Sequence, residues 1–155
     1  MLDFLKEFAR NEILWSAILS WVLAQVVKTF IHLFATKKFV PERLIGSGGM
    51  PSCHSAAMCG LTTAIVINRG IGSPELAIAA VLSVVVMYDA MSVRRETGLQ
   101  SAFLNEMIEK QIQDGDIPEA QRKFREFIGH TPFQVLVGGL LGIAFALFYC
   151  LVVIR

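Results

Sequence analysis

A chain of 155 residues has room for one domain, 1–155, and none for a separate regulatory module. Apolar residues make up 54% and charged residues 17%, against about 25% in an ordinary soluble protein, and mean hydropathy is +0.57, which excludes the ordinary soluble and disordered classes. A net charge of +1 provides no overall field for nucleic acid and argues against such a partner, so any charge-based function must be local.

The first twelve residues mix Asp3, Glu7 and Glu12 with Lys6 and Arg10, and no small-residue cleavage pattern follows them, so no cleaved signal is expected. Ile13 to Ala35 is predominantly apolar and long enough to cross a ~30 Å hydrocarbon core. Ser55 to Ile67 is read as a short second span, entered from the Gly46–Gly49 loop and stopped at Asn68-Arg69-Gly70. Pro74 to Val93 gives a third, with Ser73 as N-cap and Pro74 at the first helical position. From Arg94 the chain turns polar, but Leu99, Phe103 and Met107 recur every fourth residue, which predicts a helix lying at the membrane interface. Asp114-Gly115-Asp116 breaks it, and Pro118 opens a second short helix to about Ile128. Val135 to Ile154 carries no charge and forms the last span, with Gly138-x-x-x-Gly142 suited to close helix packing.

The fold class is therefore all-α: an integral membrane bundle of about four spans, with interfacial helices between the third and fourth. Alternation of four spans puts the 36–54 and 94–130 loops on one face, where His54 and His130 meet Arg43, Arg94 and Arg95. That face also carries Lys37, Lys38, Lys110, Arg122, Lys123 and Arg125, more cations than Lys6, Arg10, Arg69 and Arg155 opposite, which argues for a cytoplasmic active face in the cell membrane.

The segment Gly48-Gly49-Met50-Pro51-Ser52-Cys53-His54 is a glycine-rich loop running into a helix N-terminus, where free N–H groups favour an anion such as phosphate. An ordinary loop with Ser52 as a cap fits the same residues. His130 stands at the mouth of the last span in His130-Thr131-Pro132-Phe133-Gln134. Asp89, a carboxylate inside a span, costs about 2.5 to 3.5 kcal/mol on insertion scales and needs a partner: an arginine, Lys28 or a histidine. His32, on the first span without a motif, reads as structural. Three cysteines, Cys53, Cys59 and Cys150, lack a C-x-x-C pair and argue against a disulfide framework or a zinc site. The cysteine-phosphatase loop and the nucleotide P-loop both lack their defining residues here.

Pro51-Ser52-Cys53-His54 and His130 with Val135, Leu136 and Gly138 resemble the second and third motifs of the type 2 phosphatidic acid phosphatase superfamily. The chain is more closely similar to that superfamily's divergent branch, related to acid phosphatases and vanadium haloperoxidases. Gly48-Gly49-Met50-Pro51-Ser52, Asp89-Ala90, Val93-Arg94-Arg95, Gly98, Gln100, Leu104-Asn105 and Gly129-His130-Thr131-Pro132 carry this resemblance in order over residues 46–142. It implies His130 as nucleophile on phosphorus and His54 as the acid for the leaving oxygen. Around them, Ser52, Gly49, Arg43, Arg94, Arg95 and Lys28 would bind phosphate, and Gln134 or Asp89 would orient the nucleophile.

Four departures stand out. Cys53 replaces a glycine, Gln134 replaces an aspartate, and the first motif is broken, with Lys37 one residue too close to Arg43 and no proline following. Phe124 stands where the third motif has an arginine, for which Arg94 or Arg95 could substitute. Thr131-x-x-Gln134 also reads as a capping box, so Gln134 serves either the helix or His130. The implied function is a metal-independent, cofactor-free membrane phosphatase that acts on a lipid phosphomonoester or an isoprenoid diphosphate through a phosphohistidine. A non-catalytic binder of phosphorylated lipids on the same fold is the alternative. The partners are the membrane and a phosphorylated lipid, with a homo-oligomer left open.

Overall fold

The computed structural model describes residues 1–37, 49–114, 124 and 129–154. All regular elements among them are helical: α1 (Leu2–Ala9), α2 (Glu12–Thr36), α3 (Cys53–Arg69), α4 (Pro74–Met91), α5 (Val93–Gln113) and α6 (Pro132–Phe148), the last ending in a π-helical turn, Tyr149–Val153. The starts follow local chemistry. The side chains of Asn11, Ser52, Ser73 and Thr131 each accept a backbone N–H of the helix they open, satisfying donors that have no partner within the helix.

Among the described residues, three stretches are long and apolar enough to cross a membrane: Glu12–Thr36, Pro74–Gln113 and Pro132–Val153. The expected short second span is α3, whose 17 residues fall below the usual length of a crossing. It is nevertheless the central helix, packed against α2, α4 and α6. Glycines and small side chains make that possible. A Cβ on Gly138 or Gly142 of α6 would collide with the Ser52 or Ala56 carbonyl of α3, and one on Gly60 with the Ser20 hydroxyl of α2. The predicted Gly-x-x-x-Gly packing is thus realised, against α3.

These pairs also fix direction. Gly138 sits on Ser52 and Gly142 on Ala56, so α3 and α6 run parallel. Lys28 meets Cys53 while Ser16 bonds the Gly60 carbonyl, so α2 runs antiparallel to both. The Thr62–Ser83 hydroxyl pair, at 3.0 Å, and the tight 70–73 connection make α4 antiparallel to α3. One end of the bundle therefore gathers the C-terminal parts of α2 and α4 with the N-termini of α3 and α6.

Beyond α4, the chain passes Ser92 directly into α5, which ends at Gln113 before Asp114 as expected. Its Leu99, Phe103, Leu104 and Met107 are exposed, leaving an apolar stripe available to lipid. Asn105, buried, donates to the Phe124 carbonyl and accepts its N–H at 2.8 and 2.7 Å, tying the returning chain to α5. The expected short helix from Pro118 to Ile128 lies outside the described residues apart from Phe124.

Candidate functional site

His130 is held from both sides of its backbone. Its N–H donates to the Ala90 carbonyl at the end of α4 (2.9 Å), and Gly129 before it lies so close to the Ala90–Arg95 backbone that a Cβ would not fit. The N–H of Ser52, the cap of α3, donates to the Gln134 carbonyl in the first turn of α6 (3.1 Å). The two helix N-termini are thereby fastened together, and the rings of His54 and His130 approach with centroids 6.3 Å apart and planes at 64°.

His130 is 1% exposed, and its ring chemistry is set by Gln134. The Gln134 Oε1 accepts the Thr131 N–H at 3.2 Å, which identifies that atom as the amide oxygen, and it lies 3.2 Å from His130 Nδ1. An oxygen can only accept, so Nδ1 carries the proton and Nε2 keeps its lone pair. That Nε2 is buried and has no hydrogen-bond partner among the described residues. Burial pushes the His130 pKa below its ordinary 6.5, and the charges of Lys28 and His54 act in the same direction. The Gln134 amide opposes this, as does the Gly49 backbone, which approaches the ring without completing a hydrogen bond. The net result favours a neutral imidazole with a free lone pair, the form that attacks an electrophile.

Lys28 supplies the cation. It is 3% exposed, and its Nζ lies 3.7 Å from Cys53 Sγ, which is in turn 3.8 Å from His54 Nδ1. Gly49 closes over the Lys28 stem: its φ of +80° is one that glycine adopts freely, and a Cβ there would lie 3.6 Å from Lys28 Cγ. Ser52 is fully buried and acts as a cap, its Oγ accepting the Ser55 N–H (3.3 Å) and hydroxyl (2.9 Å).

The remaining expected residues fall elsewhere. Asp89 pairs with Arg94, Nε to Oδ2 at 2.6 Å, with both side chains partly exposed; the carboxylate in the span has found an arginine. This commits the Arg94 Nε to Asp89. Arg95 is exposed on α5, and its backbone nitrogen adjoins Gly129. Arg43, and Arg122 and Arg125 of the same predicted face, lie outside the described residues. Among the described residues, no three His, Cys, Asp or Glu side chains are grouped to hold a metal ion. Sequence reasoning gives Cys53 no role, although its place beside His54 in the first turn of a helix is an available signal.

An apolar groove of about 370 Å³ lies between α4 and α6; its lining includes Pro132, two residues past His130, but not His130 itself. Met91 and Pro132 line its end nearest the histidine, Gly139 and Cys59 its wall, and Ile143 its far end.

A family profile described as "Divergent PAP2 family" matches residues 9–145. The "Uncharacterized membrane protein YuiD" of Bacillus subtilis (strain 168) is 34% identical over 150 residues, covering 91% of this chain and 95% of the relative. No solved structure gives a significant match. With the profile spanning most of the chain and the relative aligned almost end to end, the chain belongs to the Divergent PAP2 family, as a helical membrane protein.

Proposed function

We propose that this protein is a membrane phosphatase that hydrolyses a lipid phosphomonoester or an isoprenoid diphosphate. The observation that carries the reading is the buried Nε2 of His130, unpartnered among the described residues, whose lone pair the Gln134 contact maintains, beside the His54 ring. In the proposed reaction Nε2 attacks phosphorus, the bond from phosphorus to the leaving oxygen breaks, and His54 gives that oxygen a proton. Water then attacks the phosphohistidine, losing a proton to His54 and restoring Nε2. Lys28 offsets charge on the phosphoryl oxygens. The adjoining apolar groove favours a substrate with a hydrocarbon tail.

The test is phosphate release by the purified full chain in detergent, over a panel of lipid phosphates. His130→Ala and His54→Ala should each abolish turnover. Vanadate should inhibit as a mimic of the five-coordinate transition state, and chelators should leave the rate unchanged. Activity that survives His130→Ala overturns the reading. Tight binding of lipid phosphates without turnover would instead identify a carrier on the same fold.

A further inference from the structure

We propose that Cys53 is a positioning residue, a sulfur hub that holds the Lys28 ammonium and the His54 ring ready for one phosphate-like anion. The inference rests on the phosphate-site reading above and adds a residue that no family motif supplies.

The geometry is specific. Cys53 is the first residue of α3, 3% exposed, with Sγ 3.7 Å from Lys28 Nζ and 3.8 Å from His54 Nδ1. Lys28 lies about two turns inside the end of α2, where a charge is costly, and among the described residues its ammonium contacts no carboxylate. The groups facing the sulfur are Lys28 from α2, His54 from α3 and, behind them, His130 ahead of α6. All three carry or can acquire positive charge, and none can be negative. Among the described residues, the thiol is therefore the one group of this cluster that can supply negative charge while no anion is bound. A second observation points to a missing ligand: the Nε2 of His130 in the same cluster is buried and, among the described residues, unsatisfied. Engaging His54 through Nδ1 also leaves its Nε2 as the nitrogen available to a leaving oxygen. A glycine at position 53 would leave both Lys28 and the His54 Nδ1 without the partner they have here.

The experiment uses the full chain with Cys59→Ala and Cys150→Ala, so that Cys53 is the sole thiol. Methyl methanethiosulfonate reports on it: the thiolate attacks the reagent's sulfenyl sulfur, a new S–S bond forms, and methanesulfinate leaves. Lys28→Met should slow labelling at pH 7 about tenfold, because the neighbouring ammonium favours the thiolate. Lys28→Gln takes its place if the methionine variant does not fold. Inorganic phosphate or vanadate should also slow labelling of the unmodified Lys28 protein. In phosphate release, Cys53→Ala should lose about tenfold in kcat/KM, the scale of losing a partner that orients a functional histidine, and Cys53→Ser should recover most of it. A labelling rate indifferent to residue 28, or a Cys53→Ala protein as active as the parent, overturns the proposal. Labelling needs no turnover, so a protein inert toward every lipid phosphate yet labelled in a Lys28-dependent way would lose the phosphatase reading and keep the hub.

Discussion

A single oxygen of Gln134 serves two donors: Oε1 accepts the Thr131 N–H that closes the capping box, and it lies at the same distance, 3.2 Å, from His130 Nδ1. Capping and orienting are therefore not alternatives. The side chain that starts α6 also fixes the tautomer of the candidate nucleophile.

That dual role predicts the effect of changing residue 134. An amide oxygen accepts Nδ1–H but stabilises the imidazolium less than a carboxylate does. In the serine-protease triad, replacing the orienting aspartate by asparagine costs about 10⁴ in turnover. Gln134→Glu keeps the reach and adds the charge, so kcat should rise at least about tenfold, within that bound. Gln134→Asp, one methylene shorter, should gain less because it cannot easily serve both donors. Gln134→Ala should lower both kcat and thermal stability, the latter by about 1 kcal/mol for a lost cap interaction. Phosphate release and a thermal melt in detergent separate the two effects.

The pKa of His130 gives a pH dependence of definite sign. Its folded value is lowered from 6.5 chiefly by burial, so the unfolded chain takes up a proton at a higher pH than the folded one. Stability from this residue is fully present above about 6.5 and is lost as pH falls below it, the loss levelling off once pH passes the lower folded value. Melting temperature should therefore fall on acidification through pH 6.5, and His130→Asn should flatten that part of the curve. An unchanged slope would assign the acid sensitivity to other groups.

The glycine contacts predict which small residues tolerate a methyl group. Gly142→Ala and Gly138→Ala drive a Cβ into the Ala56 and Ser52 carbonyls, backbone atoms that cannot step aside. Each should cost about 1 to 3 kcal/mol by overpacking, read as a lower melting temperature or failure to fold. Gly72→Ala, with nothing within 4 Å of the new Cβ, is the control and should melt near the parent.

Much of this architecture is legible in the sequence because its causes are local. Ser73 before Pro74 and Thr131 before Pro132 mark helix starts through hydrogen bonds three residues away, and the apolar runs mark the membrane helices directly. The need of Asp89 for a partner is also readable, since Arg94 lies only five residues on. Contacts across the bundle are harder. Lys28 and Cys53 are 25 residues apart, and neither belongs to an intact motif, so only the antiparallel packing of α2 on α3 reveals the pair. The apolar run alone understates α3, because Cys53 and His54, polar in context, join the helix behind the Ser52 cap. Gln134 can be assigned two roles from spacing, but that one oxygen performs both follows only from atomic positions.

On the proposed reaction, the groove between α4 and α6 would hold a substrate's tail apart from the chemistry on phosphorus. It begins at Met91 and at Pro132, two residues past His130, and continues along Gly139 to Ile143, with an apolar lining that gains from burying methylenes at about 0.8 kcal/mol each. Ile143 lies at the far end, away from the histidines, so Ile143→Trp should fill the groove without touching the candidate catalytic residues. Long-chain lipid phosphates should then show a KM raised at least about tenfold, the loss of roughly two buried methylenes. A short-chain or water-soluble phosphomonoester should keep its kcat/KM. Gly139→Leu, entering the groove beside Cys59 Sγ, should shift the same balance from the middle of the wall. If long and short substrates lose activity in parallel in both variants, the groove is a packing defect filled by bulk lipid, and tail recognition belongs to another surface.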